Sequence, residues 1–87
     1  MNTNQDLFSV TIKSFLPPNE PIDGFHSGEA FKIYLSGVIT IGEFTQRFFC
    51  RNANQIGMIA VNGQIASENT LLSEGDKIDL YPLLEGG

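Results

Sequence analysis

One segment of the chain carries the pattern of an amphipathic helix, and its start is the most clearly marked boundary in the sequence. Thr40 and Glu43 stand at the spacing of a capping box, in which each side chain satisfies a free amide of the first helical turn. Apolar side chains then recur at i, i+3 and i+7 on one face of the helix, namely Ile41, Phe44 and Phe48. The segment from Asn52 to Asn54 supplies a stop signal. The pattern predicts a helix over residues 41–51 that packs on the core through Phe44 and Phe48.

Two segments before this helix alternate between apolar and polar residues, which is typical of half-buried strands. The apolar positions are Phe8, Val10 and Ile12 in the first segment and Phe31, Ile33 and Leu35 in the second. Residues 16–28 lie between them and contain three prolines and two glycines. Because proline lacks a backbone donor and biases the preceding residue toward extended geometry, this composition predicts a loop. We expect the two strands to pair as a wide hairpin.

A tight hairpin is predicted after the helix. Residues 58–61 form a short apolar strand that ends at Asn62-Gly63. Asn-Gly is the strongest short hairpin signal, because a type I′ turn needs a positive φ at both central residues. Residues 64–66 would form the short return strand, and residues 67–76 an irregular connection closed by a turn at its end.

The last strand is predicted where Ile78 and Leu80 alternate with polar neighbours, and Pro82 ends it because proline cannot donate to a ladder. The order of elements is strand, strand, helix, strand, short strand, strand. Five strands and one amphipathic helix predict a two-layer α+β domain in which the helix covers one face of the sheet. The 87 residues suffice for one small domain over 1–87, with polar residues 1–6 predicted to be disordered.

The charge balance limits the partners that the chain can bind. Ten acidic and five basic residues give a formal net charge of −5, which argues against nucleic acid and against anionic membrane surfaces. No stretch has the length of a bilayer span, and no basic start followed by an apolar run marks a signal peptide. Cys50 is the only cysteine, and one free thiol suits a reducing compartment. These features predict a cytoplasmic domain.

The sequence contains no constellation typical of an independent enzyme. His26 is the only histidine and lies in the predicted loop, and a pairing with Cys50 would need two separate elements to meet by chance. Packing or exposure is the simpler interpretation of both residues. One cysteine alone cannot hold a structural zinc ion or an iron–sulfur cluster, and the glycines do not form a phosphate-binding motif. We therefore predict no metal, no bound cofactor and no catalysis by the chain alone.

The end of the chain is the informative feature for function. Gly86 and Gly87 follow closely on the last predicted strand, so residues 82–87 are predicted to form a flexible tail. Such a tail reaches roughly 20 Å when extended, at about 3.3–3.6 Å per residue. Because glycine has no side chain, the last peptide units can enter a channel that is too narrow for other residues. The pattern favours a carboxylate delivered into the active site of another protein.

The sequence resembles the small sulfur-carrier proteins, which include the small subunit of molybdopterin synthase and the sulfur carrier of thiamine biosynthesis. The matching segments are Val61-Asn62-Gly63-Gln64-Ile65-Ala66, residues 72–76, Tyr81-Pro82 and Gly86-Gly87, together with Thr40-Ile41-Gly42-Glu43-Phe44 at the helix start. This resemblance covers about residues 8–87. It implies a ubiquitin-like β-grasp fold, with a mixed sheet of about five strands and one main helix on one face.

The resemblance also implies a chemistry centred on Gly87. A terminal carboxylate is ionised at neutral pH and is a poor electrophile. In this family a partner enzyme of the ubiquitin-activating type adenylates it with ATP and magnesium, and sulfur from a persulfide donor then displaces AMP to leave a thiocarboxylate. A second enzyme uses that sulfur. The carrier supplies Gly87 and a docking surface, for which we expect Leu83, Leu84, Glu85 and Gly86, with Glu85 contacting a basic rim. The alternative for the two leucines is that they fold back on the sheet.

Two biosynthetic pathways compete for this carrier. Molybdopterin-type tails typically have two prolines before the last four residues; Pro82 matches the first, and Leu83 replaces the second. The long loop at 16–28 and Pro82 favour molybdopterin synthesis, with the large synthase subunit as the acceptor, over thiamine synthesis, with thiazole synthase. A different class of function uses the same activation: a ubiquitin-like modifier or interaction module that is conjugated through its C-terminal glycine.

Overall fold

The computed structural model describes residues 7–20 and 22–83. The predicted disorder of residues 1–6 and the predicted roles of Leu84, Glu85, Gly86 and Gly87 lie outside the described residues. The elements in chain order are β1 (Leu7–Ser14), β2 (Phe31–Ser36), α1 (Ile41–Phe49), a 3₁₀ helix (Cys50–Gln55), β3 (Ile56–Val61), β4 (Gln64–Ile65) and β5 (Lys77–Pro82). None of the described helices is long and apolar enough to cross a membrane.

The five strands form one mixed sheet in the order β2-β1-β5-β3-β4. β1 pairs antiparallel with β2, as the predicted wide hairpin requires, and parallel with β5. β3 pairs antiparallel with both β5 and β4. The last strand therefore lies in the centre of the sheet, next to the first. This topology confirms the predicted α+β class and the ubiquitin-like β-grasp fold.

Helix α1 covers one face of the sheet, which we call the inner face. The buried cluster joins residues of β1, β2 and β5 to one side of the helix, and its members include Val10, Ile12, Leu35, Ile78, Leu80, Ile41, Phe44 and Phe49. The alternation along each strand sends the intervening side chains to the opposite, outer face. The hydrophobic periodicity of the sequence therefore determines which face the helix covers.

Two local signals are confirmed by the backbone geometry. The Thr40 hydroxyl accepts from the Glu43 amide at 3.1 Å, and the Glu43 carboxylate accepts from the Thr40 amide at 2.9 Å. Asn62 and Gly63 have φ angles of 54° and 83°, as a type I′ turn requires. Between them, these two signals fix the start of the helix and the β3–β4 hairpin.

The end of the helix differs from the prediction, whereas the predicted contact of Phe48 with the core is confirmed. The α-helix stops at Phe49 and continues as a 3₁₀ helix through Gln55, and Phe49 is buried while Phe48 is only partly buried against the core. A helical wheel gives the angle of a side chain but not which flank the rest of the protein covers. The change of helix type coincides with contacts from the distant Asn19, whose side-chain amide donates to the Arg47 carbonyl and accepts from the Arg51 amide.

Two strand boundaries also differ from the prediction, whereas β5 ends at Pro82 as predicted. β3 begins at Ile56 and includes an irregularity between Ile56 and Met58, and β4 ends at Ile65. Pro82 is the final residue of β5, where it pairs with Ile56. Proline is tolerated there because the next ladder hydrogen bond uses the Leu83 amide, which donates to the Gln55 carbonyl at 2.7 Å.

Candidate functional site

The chain leaves the sheet at Leu83, which follows the central strand β5. The Leu83 amide is held by Gln55, so the backbone remains attached to the sheet one residue beyond the predicted start of the tail at Pro82. The Leu83 side chain is 55% exposed and is not part of the buried core. Of the predicted site residues Leu83, Leu84, Glu85, Gly86 and Gly87, the structure describes Leu83 alone. It places this residue, which we call the root of the predicted tail, directly after β5 with an exposed side chain.

An aromatic pair lies on the outer face beside this root. Tyr81 alternates with the buried Leu80 and so projects from the outer face, where its ring stacks on that of Phe15 with centroids 6.3 Å apart. Phe15 comes directly after β1, and the loop returns over it: the Gly28 amide donates to the Ser14 carbonyl. The predicted loop at 16–28 thus helps to hold an exposed phenyl ring next to the last strand.

The aromatic pair continues into apolar side chains on β3 and β4. Met58 pairs with Tyr81, and Ile65 pairs with Ala60. We call Phe15, Met58, Ile65 and Tyr81 the outer apolar patch. Three of its members are exposed large hydrophobic residues, with Ile65 the most exposed at 78%. Single exposed apolar side chains are common on protein surfaces, whereas a cluster of them marks an interaction surface.

The chain's three lysines share this outer face. Lys77 and Lys32 both pair with Thr11, from opposite sides, and Lys13 pairs with Asp79. All three lysine side chains are exposed, in a chain whose net charge is −5. The outer face therefore combines an apolar patch with the ammonium groups of all three lysines.

Sequence reasoning missed most of this surface. Phe15 follows the alternating part of β1, and Met58 and Ile65 were treated only as members of a hairpin. The available signal was the strand period itself, which puts Met58 and Tyr81 on the face opposite the core-packed Ile59 and Leu80. The stacking of Phe15 on Tyr81 joins residues 66 positions apart and has no local signature.

Cys50 and His26 are held by different partners. The Cys50 thiol accepts from the Asn19 side chain at 3.2 Å, and the His26 carbonyl accepts from the Glu29 amide at 3.0 Å. Both residues are exposed. Within residues 7–20 and 22–83, no three histidine, cysteine or acidic side chains come together in a group that could hold a metal ion.

A comparison with protein families identifies the chain. Residues 26–87, more than two thirds of the sequence, match the sequence model of the ThiS family. The chain belongs to the ThiS family. A comparison with curated proteins found no match. Members of the ThiS family are small sulfur carriers that work with adenylating and sulfur-accepting enzymes and are not enzymes themselves.

The family match and the structure complement each other. The matched region begins at His26 and so excludes β1, although β1 lies between β2 and β5 in the sheet. It includes the helix, the Asn62-Gly63 turn, β5 and the final glycines. In this ThiS-family sulfur carrier, Leu83, the root of the predicted tail, lies beside the outer apolar patch.

Proposed function

We propose that this sulfur carrier acts through the C-terminal carboxylate of Gly87, which a partner enzyme of the ubiquitin-activating type converts to an acyl adenylate with ATP and magnesium. The terminal sulfur of a persulfide donor then attacks the acyl adenylate and displaces AMP, which leaves an acyl disulfide. A second thiol cleaves its S–S bond, so that the chain keeps a C-terminal thiocarboxylate and the donor sulfur forms a disulfide with that thiol. The observation that carries the proposal is the ThiS match through residue 87, combined with a chain that leaves the central strand at an exposed Leu83. Gly86 and Gly87 allow the end of the chain to enter a narrow channel.

The partners dock, in this proposal, on the surface beside the tail. The outer apolar patch and Leu83 supply the apolar contacts, and Leu84, Glu85 and Gly86 follow Leu83 into the partner's active site. Adenylation and sulfur transfer occur on two different enzymes. In this proposal both enzymes bind the same surface of the carrier, one after the other. A buried apolar centre with a charged rim is the usual composition of such interfaces, and the lysines of the outer face fit the rim.

Molybdopterin synthesis is the pathway that we propose first, with the large subunit of molybdopterin synthase as the sulfur acceptor. Pro82 and the long loop at 16–28 support it, and Leu83 departs from the double proline that molybdopterin-type tails usually carry. Thiamine synthesis, with thiazole synthase as the acceptor, comes second. Loss of the chain from its host should remove one cofactor and spare the other, and restoring growth with the missing cofactor identifies the pathway.

Mass spectrometry of the chain isolated from its native host tests the chemistry. A species heavier by about 16 Da, located on the C-terminal peptide, is the expected result, because sulfur replaces one oxygen of the carboxylate. The alternative function, a modifier conjugated through its C-terminal glycine, predicts branched Gly-Gly remnants on lysines of other proteins. Remnants without the heavier species would overturn the proposal.

A further inference from the structure

The strand next to the root of the tail contains one extra residue, Gly57. Ile56 pairs with Pro82 and Met58 pairs with Tyr81, so Gly57 has no partner of its own and forms a bulge. A bulge bends its strand and changes the local twist. This one lies opposite the last two residues of β5, where the chain leaves the sheet.

Gly57 touches the backbone at that exit. A Cβ atom placed on Gly57 would lie 2.7 Å from the Pro82 carbonyl oxygen, 2.8 Å from the Leu83 Cα and 3.0 Å from the Leu83 nitrogen. All three are main-chain atoms, so no side-chain rotation can relieve the contact. A side chain at position 57 must displace either β3 or the segment that joins β5 to the tail.

The backbone conformation at position 57 does not by itself require a glycine. Gly57 is absent from the described residues with a positive φ, which are Asn62, Gly24, Gly28, Gly37, Gly63 and Gly75. At four of those glycines an added Cβ would meet nothing within 4 Å, and at Gly28 it would meet only the ring of Phe15. Gly42 also lacks a positive φ, and a Cβ there would lie 3.1 Å from the Glu68 carbonyl oxygen. Among the described glycines, Gly57 alone would bring a Cβ within 3.0 Å of backbone atoms, and those atoms belong to residues 82 and 83.

A hydrogen bond also holds the backbone at Leu83. The Leu83 amide donates to the Gln55 carbonyl at 2.7 Å, so the chain at Leu83 is hydrogen-bonded to one side of the bulge and packed on the other. Only three residues lie between Leu83 and Gly87. A change in the position or direction of the backbone at Leu83 therefore displaces the Gly87 carboxylate.

We propose that Gly57 is a positioning residue that sets where the tail leaves the sheet, and this inference rests on the proposed function at Gly87. Restoring ordinary van der Waals contact after a Gly57→Ala change requires a movement of about 1 Å at Pro82 and Leu83. A misplacement of about 1 Å can cost roughly a hundredfold in rate when the reaction depends on positioning. The outer apolar patch keeps its side chains in this variant, so docking is preserved while delivery of the carboxylate is impaired.

The test compares Gly57→Ala with Val61→Ala in the full chain. Val61 lies on the same strand and packs against the core, so its truncation lowers stability without touching residues 82 and 83. ATP–pyrophosphate exchange with the host's adenylating enzyme is measured against carrier concentration, and amide hydrogen exchange is followed at Leu83. For Gly57→Ala we expect kcat to fall by about 10- to 100-fold with little change in KM, together with faster exchange of the Leu83 amide. Val61→Ala should lower the melting temperature and leave kcat unchanged at temperatures where it is folded.

The outcomes separate this inference from the function on which it rests. Pyrophosphate exchange by the unaltered chain, combined with equal kcat for Gly57→Ala, would overturn the positioning role alone. No pyrophosphate exchange by the unaltered chain would overturn the proposed function and the inference with it. A Gly57→Ala chain that does not fold, or whose kcat falls only as far as its folded fraction, would show that the glycine serves the fold and not the tail.

Discussion

The Glu74 carboxylate accepts two hydrogen bonds from Ser9. The Ser9 amide donates to Glu74 Oε1 and the Ser9 hydroxyl donates to Oε2, both at 2.9 Å. These bonds favour the ionised form and lower the pKa of Glu74 below its usual 4.5, with a smaller attraction from Lys32, against a partial loss of solvation. The carboxylate therefore stabilises the folded chain where it is ionised.

Glu74→Gln should make the unfolding free energy depend less strongly on pH under acidic conditions. Because the folded pKa lies below the unfolded one, the contribution of Glu74 is present above pH 4.5 and is lost as the pH falls through the folded value. Urea unfolding from neutral pH downward should show a smaller loss of unfolding free energy below pH 4.5 for the variant than for the unaltered chain. Ser9→Ala is the matched partner in a double-mutant cycle, and equal slopes for all four chains would contradict the assignment.

Single residues differ in how far the sequence determines their role. The Thr40–Glu43 cap and the Asn62-Gly63 turn were predictable because each cause lies within four residues of its effect. Ser9 was expected on the polar side of a strand, yet it is buried because Glu74 meets it from 65 positions away. No local pattern marks such a pair.

At the scale of elements, α1 contributes three phenylalanines to the core, with Phe44 at their centre. Its ring centroid lies 5.2 Å from that of Phe48 and 5.9 Å from that of Phe49. Phe49 is 1% exposed, whereas Phe48 lies at the edge of the cluster. The stripe read from the sequence identified the correct helix face and missed its most buried C-terminal member.

Phe49→Ala should destabilise the protein more than Phe48→Ala. Removing a fully buried phenyl ring costs about 3–5 kcal/mol, because transfer energy is lost and a cavity remains. Phe48 loses less apolar contact on truncation and should cost less. Chemical denaturation of both variants measures the difference, and a larger loss for Phe48→Ala would contradict the burial of Phe49.

The ends of elements were less predictable than their existence. The helix and the five strands were each indicated by a local signal, namely a period, a short apolar run or the Asn-Gly turn. The 3₁₀ extension to Gln55, in contrast, coincides with hydrogen bonds between this segment and Asn19 in the distant loop. The Gly57 bulge likewise depends on the pairing of β3 with β5. Boundaries of this kind depend on contacts between elements, so a single-sequence pattern does not contain them.

On the scale of the whole molecule, two exposed leucines lie at opposite ends of the sheet. Leu83 follows the end of β5, near the outer apolar patch, and Leu71 lies in a shallow groove with Leu7 and Val38 near the start of β1. Their exposed fractions are 55% and 57%, so they form a matched pair. The sequence predicted Leu83 as a contact residue from its place before the diglycine; its backbone contact with Gln55 and Gly57 comes from the tertiary structure.

Leu83→Ala should weaken binding to the adenylating enzyme without lowering the melting temperature, because its side chain makes no contribution to the core. Leu71→Ala is the control and should leave binding unchanged. Leu84→Ala should behave like Leu83→Ala if both leucines contact the partner. Calorimetric titration and thermal unfolding of the three variants decide between docking and packing: reduced stability with unaltered binding would assign the leucines to the core.

The position of Gly87 relative to the folded domain should matter as much as its chemistry. Deleting Gly87 leaves Gly86 with an equivalent carboxylate but retracts it by about 3.5 Å, one residue of extended chain. One alanine added after Gly87 overshoots by the same distance and brings a methyl group into the channel. Neither change touches residues 7–83, so the melting temperature should be unaltered, whereas ATP–pyrophosphate exchange with the adenylating enzyme should fall by about a hundredfold or more. Equal exchange by the native, shortened and extended chains would show that the reacting carboxylate does not depend on its distance from Leu83.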